Sequence, residues 1–171
     1  SFDGAATIRG TPLNDDVVGD NAVILTISDG TATVEQSFTI TVINTNDAPV
    51  FTSTATTAAT EDANYTYIVT AEDVDVGDAL TFAVNTKPDW LIFDGTATIS
   101  GTPLNDDVGD HAVILTVNDG TGPVTQSFII TVINTNDAPV FTSTATTAAT
   151  EDAPYTYTAA ASDVDIGDAL T

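Results

Sequence analysis

Apolar residues recur at every second position in several short runs of this chain. Tyr65, Tyr67, Val69 and Ala71 form one such row. Leu80, Phe82 and Val84 form a second, Val113, Leu115 and Val117 a third, and Phe128, Ile130 and Val132 a fourth. A period of two places alternate side chains on one face of a pleated strand. A near-copy of the first row, Tyr155 to Ala161, decides which face is inward. There Thr158 stands where Ile68 stood while both tyrosines remain, so the tyrosine row is predicted to face the core. Trp90, Leu91 and Phe93 follow a proline turn. Thr96 to Ser100 reads as a short strand and Phe51 to Thr56 as an extended one. Asp94-Gly95 and Asp119-Gly120 supply turns between strands. No stretch sustains a helical period. About seven short strands in a unit of about 90 residues predict an all-β chain folded as Greek-key β-sandwiches.

The pattern repeats. The segment Asn44-Thr45-Asn46-Asp47-Ala48-Pro49-Val50-Phe51 returns letter for letter at Asn134 to Phe141, and six positions separate 47–81 from 137–171. Residues 2–16 likewise align with 93–107. The chain therefore divides into the C-terminal half of one repeat (1–46), a complete repeat (47–136) and the N-terminal half of the next (137–171). The recurring segment is a poor strand interior, because proline donates no ladder hydrogen bond. Four oxygen-bearing side chains followed by a stiff proline suit a short joint that holds a hard cation.

Charge sharpens that reading. Twenty-five acidic residues face only Arg9 and Lys87, for a net charge of −23. A polyanion of this kind repels nucleic acid and anionic membrane surfaces. No apolar run is long enough to span a bilayer, so no direct membrane insertion is expected. Without cysteine there is neither a disulfide nor a thiolate metal site. The acids gather in three kinds of loop: Asn-Asp-Asp, Asp-x-Asp-x-Gly-Asp and Asn-Asp-Ala-Pro. Such clusters repel themselves unless a cation neutralises them. Asp at i and i+2, as in Asp73 and Asp75, sets two carboxylates on the same side of an extended loop, and Gly77 permits the tight turn that follows. A solubilising surface is the competing reading of the charge. For Asp29, Asp94 and Asp119, each before glycine, capping of the local turn competes with metal ligation.

The loop Ala71-Glu72-Asp73-Val74-Asp75-Val76-Gly77, the segment Trp90 to Pro103 and the joint Asn134 to Phe141 follow one another along the chain, and the match covers its whole length. Together they resemble cadherin-type repeats, and more closely the dystroglycan-type cadherin-like and Ig-like repeats of large bacterial surface adhesins and extracellular fibre proteins. Two departures concern the ligands: Asn134 stands where cadherins usually place Asp, and Leu104-Asn105-Asp106-Asp107 replaces the usual Leu-Asp-Arg-Glu. The resemblance implies Ca2+ between repeats. By it, the joint before the complete repeat draws on Asn14, Asp16, Asn44, Asn46, Asp47, Asp73, Asp75 and Asp119. The joint after it draws on Glu61, Asn105, Asp107, Asn134, Asn136, Asp137, Asp163 and Asp165. The resemblance further implies an extracellular or cell-surface stalk whose partners are adjacent copies of the same repeat, with a homophilic or carbohydrate-binding adhesion module as the alternative.

Nothing in the chain reads as an enzyme. His111 is the lone histidine, with Asn21 at its counterpart, and no nucleophile elbow, phosphate loop or thiolate cluster is present. Trp90 is read as a packed residue rather than a sugar platform. Asn64-Tyr65-Thr66 fits the N-glycosylation pattern, and the Thr/Ala run Phe51 to Thr60 offers outward threonines, so glycans are possible partners. The chain starts and stops inside repeats. It is expected to be a window on a continuous array; the alternative is that the tail of one chain completes the head of the next.

Overall fold

The computed structural model describes residues 7–171. The first residues of the aligned stretch 2–16 lie outside them. The chain forms two compact units, and every regular element among the described residues is a strand or a short 3-10 turn.

The first unit comprises the chain up to Thr52 with Ala71–Thr81 and Val117–Val124. A 3-10 turn at Asn14–Asp16 precedes strands β1 (Asn21–Ser28) and β2 (Thr33–Ile40). These pair antiparallel from Asn21 opposite Ile40 to Ser28 opposite Thr33. The Asp29-Gly30 corner between them is closed by side chain and backbone together: Asp29 Oδ1 accepts the N–H groups of Thr31 (2.9 Å) and Ala32 (2.8 Å). Gly30 takes φ +92°, open to glycine without a Cβ penalty. Strand β3 (Val50–Phe51) begins directly after the linker.

The second unit comprises Ser53–Thr70, Phe82–Thr116 and Thr125–Thr171. Along the chain, β4 (Ala58–Thr60), β5 (Tyr65–Ile68), β6 (Ala71–Glu72, in the first unit), β7 (Thr81–Thr86), β8 (Ile92–Phe93) and β9 (Thr98–Gly101) lead to a second 3-10 turn at Asn105–Asp107. Then follow β10 (Gly109–Asn118), β11 (Pro123–Ile133), β12 (Val140–Phe141) and β13 (Ala161–Ser162). One sheet has the order β4-β11-β10-β7 and the other β5-β9-β8. The short ladders β3-β6 and β12-β13 are copies of one another.

The alternation seen in the sequence becomes the burial pattern. Tyr65, Tyr67 and Val69 are buried while Thr66, Ile68 and Thr70 are exposed, so the inward face is the tyrosine face. Leu91, Ile99, Val113, Leu115, Ile130 and Val132 close the core beneath them. Tyr67 meets Phe128 edge to face with ring centroids 5.8 Å apart, and its hydroxyl donates to Gln126 Oε1 (3.0 Å). One side chain thus joins a strand of each sheet, its polar end satisfied. Gly101 is in the middle of this packing. A Cβ there would stand 2.1 Å from the Trp90 carbonyl oxygen, so only glycine lets that backbone approach.

One expectation needs correction. Of the strand expected over Phe51 to Thr56 only Phe51 is in a strand, at the end of β3, which pairs antiparallel with β6; the next strand, β4, begins at Ala58 and pairs parallel with β11. Ser53 interrupts the run, because its hydroxyl accepts the Thr70 N–H (2.8 Å) and meets the Tyr67 hydroxyl (2.7 Å). The Asn-Asp-Asp loops each wind into a 3-10 turn. Fully burying a leucine contributes about 1.5–3 kcal/mol and truncation leaves a cavity besides. Leu115→Ala is therefore expected to cost about 2–5 kcal/mol. Leu25→Ala, the same change at the half-exposed counterpart in β1, should cost clearly less in dilute solution. Urea unfolding of the two variants checks the difference.

Candidate metal centre

The Asp-x-Asp-x-Gly-Asp loop is built by its own backbone. Asp73 Oδ1 accepts the Asp75 N–H (2.9 Å), and Gly77 turns the chain at φ +104°. The repeat does the same: Asp163 Oδ1 accepts the Asp165 N–H (3.0 Å), with Gly167 at φ +102°. This folding directs Asp75 and Asp165 inward and leaves both buried. Each then clamps the linker. Asp75 Oδ2 accepts the Asp47 N–H at 2.6 Å, and Asp165 Oδ2 accepts the Asp137 N–H at 2.7 Å.

Around the first linker, Asn14 donates its side-chain amide to Asp47 Oδ2 (2.9 Å) and Asn46 donates to Asp119 Oδ2 (2.9 Å). The carboxylates of Asp73, Asp78 and Asp119 converge, one oxygen from each lying within 4.8 Å of the others. Around the second linker, buried Glu61 accepts the Thr135 N–H (3.0 Å), and Asn105 reaches toward Asp165 Oδ1 at 3.5 Å. Two further clusters form there by the same measure: Glu61, Asp62 and Asp137, and Asp163, Asp165 and Asp168. Asn136 donates to the Asp137 carbonyl (2.7 Å), while Asn44 and Asn134 are exposed on the linkers. Asp16 and Asp107 turn to local work: each accepts the N–H of the leucine three residues before it (2.9 Å) and so caps its 3-10 turn.

Asp62, Asp78 and Asp168 belong to these clusters and were missed. The signal was present. Asp78 and Asp168 are the third acid of the loop motif, and Asp62 completes the Glu-Asp pair that ends the Thr/Ala run. Asp62 also holds a left-handed φ of +59°, a conformation that aspartate tolerates better than most residues.

The electrostatics are those of a site short of positive charge. Loss of hydration, then the negative charges of Asp75, Asp73 and Asp119, raise the Asp78 carboxyl above the usual carboxylate range. Asp119 moves the other way. The Asn46 amide, then the N–H and hydroxyl of Thr121, hold it well below that range. Asp94 is likewise held low by the N–H groups of Thr98 and Thr96, which close its turn. Asp94 and Asp29 are thus turn caps, and Asp119 combines a turn cap with a place in the cluster.

Asp73 Oδ2 and Asp75 Oδ1 are buried with no donor. A buried polar atom without a partner costs on the order of 1–3 kcal/mol, more when it is charged. Oxygen-only donors, several of them carboxylates, suit calcium, which takes six to eight oxygens in irregular geometry. The residues present therefore fit the ion. Asp73, Asp75, Asp78 and Asp119 would hold it at the first linker, and Asp163, Asp165 and Asp168 with Glu61, Asp62 and Asp137 at the second.

Other candidates resolve more simply. Trp90 is half-buried and makes T-shaped contacts with Tyr65 (5.8 Å) and His111 (6.0 Å), with its indole nitrogen buried. His111 Nε2 lies 2.6 Å from the Asp107 carbonyl oxygen. Asn64 is exposed and donates to the Thr66 hydroxyl (3.0 Å). Among the described residues no helix is long and apolar enough to cross a membrane.

A two-sheet sandwich with acidic linkers is the architecture of cadherin-like and Ig-like domains. Residues 48–133 match the family described as Putative Ig domain, and the chain belongs to that family. Among solved structures, mouse protocadherin-24 EC1-3 shares the fold at 21% identity and TM-score 0.51, covering 92% of this chain and 60% of its own. Human protocadherin-24 EC1-2 matches at 23% identity and TM-score 0.47, over 72% of this chain and 62% of its own. An endo-fucoidan hydrolase of glycoside hydrolase family 107 matches at 30% identity and TM-score 0.46 over 74% of this chain. The chain spans 20% of the length of that hydrolase. No curated protein sequence matches it.

A pH profile follows from the two directions of shift. A carboxyl raised in the folded state costs stability while ionised, and the cost vanishes as pH falls through its folded value. A lowered carboxyl contributes stability that is lost as pH falls below about 4. Without divalent ions, stability should therefore rise as pH falls through the raised folded value of Asp78 toward the ordinary carboxylate value of about 4, and fall below about 4. Asp78→Asn should shrink the rise and Asp94→Ala should shrink the acid loss, both read by thermal melting across pH.

Proposed function

We propose that the chain is a structural tandem-repeat segment of an extracellular fibre or adhesin stalk, rigidified by calcium at its inter-repeat joints. The units of that array are the half repeat 1–46, the complete repeat 47–136 and the half repeat 137–171. The observation that carries this reading is the pair of donorless buried oxygens on Asp73 and Asp75, beside a linker whose Asp47 N–H is already bonded to Asp75.

The chain's own residues do the positioning. Pro49 is buried and stiffens the exit from the linker. Asp75 fixes the linker backbone, and Asn14 and Asn46 tie linker carboxylates and amides to the loops on either side. A bound calcium would supply the positive charge that lets these carboxylates stay ionised together. The linker is then held by hydrogen bonds and metal rather than by an apolar interface, so its stiffness follows the calcium concentration outside the cell. The reading assigns no catalysis: Asp94, Asp107 and Asp119 are occupied by turn and cap N–H groups.

Extracellular calcium modules bind at roughly 10⁻⁴–10⁻³ M. A ligand at about a hundred times its dissociation constant stabilises the folded state by about 2.7 kcal/mol per site. Calcium at about a hundred times that dissociation constant should raise the melting temperature by several degrees, and a chelator should reverse it. Asp73→Asn and Asp75→Asn should each weaken the first joint and cut the calcium-dependent shift, while Asp94→Asn should leave the shift intact. Equal melting curves with calcium and with chelator would overturn the reading.

A further inference from the structure

Aliphatic side chains stand beside the acids of each joint and are open to solvent. In the complete repeat Val50, Val74 and Leu104 are 64%, 59% and 60% exposed. Their counterparts Val140, Val164 and Leu13 are 60%, 60% and 72% exposed. The same notch forms twice. Beside the first linker Leu13 and Val74 line a cavity of about 550 Å3 with Asn14 and Asp15. Beside the second, Leu104, Val140 and Val164 line one of about 430 Å3 with Glu61, Asp62 and Asn105. Exposed apolar surface rimmed by polar groups marks an interaction site. The middle acid of each Asn-Asp-Asp turn also has no task in the joint. Asn14 and Asn105 face linker and loop carboxylates, and Asp16 and Asp107 cap the turn. Asp15 and Asp106 are exposed and stand outside the acidic clusters.

We propose that each notch docks a lysine or arginine side chain from a basic, aliphatic-rich segment of a partner protein. Such a side chain lays its apolar stem along the leucine and the loop valine and brings its cationic head to the middle acid, Asp15 at the first notch and Asp106 at the second. Charge selects this occupant. The chain carries a net charge of −23, with Arg9 and Lys87 its only basic residues, so a second copy brings mostly like charge to the site. A polar cation alone would leave the aliphatic surface wet, and an apolar segment alone would bring no counter-charge to the acids. The middle acids lie outside the metal clusters. Docking is therefore compatible with a filled calcium site, and either reading can fail without the other. Because the notch recurs once per repeat, a partner with several such segments gains affinity from linked binding.

Isothermal titration calorimetry of the 171-residue chain with a synthetic peptide of alternating lysine and leucine, at fixed calcium and physiological salt, tests this. Oligolysine of equal charge is the reference probe. The expected result is two alternating peptides per chain, bound about tenfold tighter than oligolysine. Leu104→Ser should lower the stoichiometry to one. Leu13→Ser combined with Leu104→Ser should bring the affinity down to that of oligolysine. Asp15→Asn combined with Asp106→Asn should weaken binding several-fold. Ile129→Ser, which removes an aliphatic side chain 53% exposed on β11, should change nothing. Thermal melting of the same samples with calcium and with chelator confirms that each variant is folded and reads the metal site separately. Equal affinity for the two probes would overturn the proposal. So would binding of the alternating peptide that is unchanged in the chain carrying both Leu13→Ser and Leu104→Ser.

Discussion

A carboxylate oxygen withdrawn from water needs a donor, a proton or a cation. Around the first linker Asp75 spends one oxygen on the Asp47 N–H and Asp73 spends one on the Asp75 N–H, and the other oxygen of each is buried without a donor. None of the three acidic clusters found among the described residues contains a histidine. The rest of the joint follows from that deficit. The loop turns sharply at Gly77, the third acid Asp78 is drawn in against its neighbours, and Asn rather than Asp supplies the side-chain amides that bridge to the linker.

The sandwich serves that joint by fixing where its loops emerge. A row of alternating apolar residues sets each strand's register, since a slip of one residue would turn Tyr65 and Tyr67 out of the core. Register sets the ends of strands, and strand ends set the loops. The Asp119 turn follows β10, the Asp73 to Asp78 loop follows β6, and Glu61 follows β4.

Much of this was legible before any coordinates. Alternation identified the strands and their inward faces, and the substitution of Thr158 for Ile68 was enough to choose between the two faces of β5. The repeated Asn-Asp-Ala-Pro segment stood out as the proposed joint. Less legible was which acids meet. Asn46 and Asp119 are 73 residues apart, and nothing local in the sequence pairs them. The two-fold use of Asp was also hidden: Asp16 and Asp107 bend back three residues to cap a 3-10 turn, a contact that competes with ligation and has the same composition. Asp62, Asp78 and Asp168 went unnoticed because each is the second or third acid of a group whose first member had already been chosen. The break in the first strand at Ser53 left no pattern at all, because it depends on a hydroxyl reaching a tyrosine fourteen residues on.

The most direct measurement is an anomalous difference map from crystals of the chain grown with calcium, at a wavelength where calcium scatters anomalously. The account predicts a peak at each linker, with oxygens of Asp73, Asp75 and Asp78 about 2.3–2.6 Å from the first. A well-ordered map with no peak there, and with the Asp73 and Asp75 carboxylates turned to solvent, would contradict it.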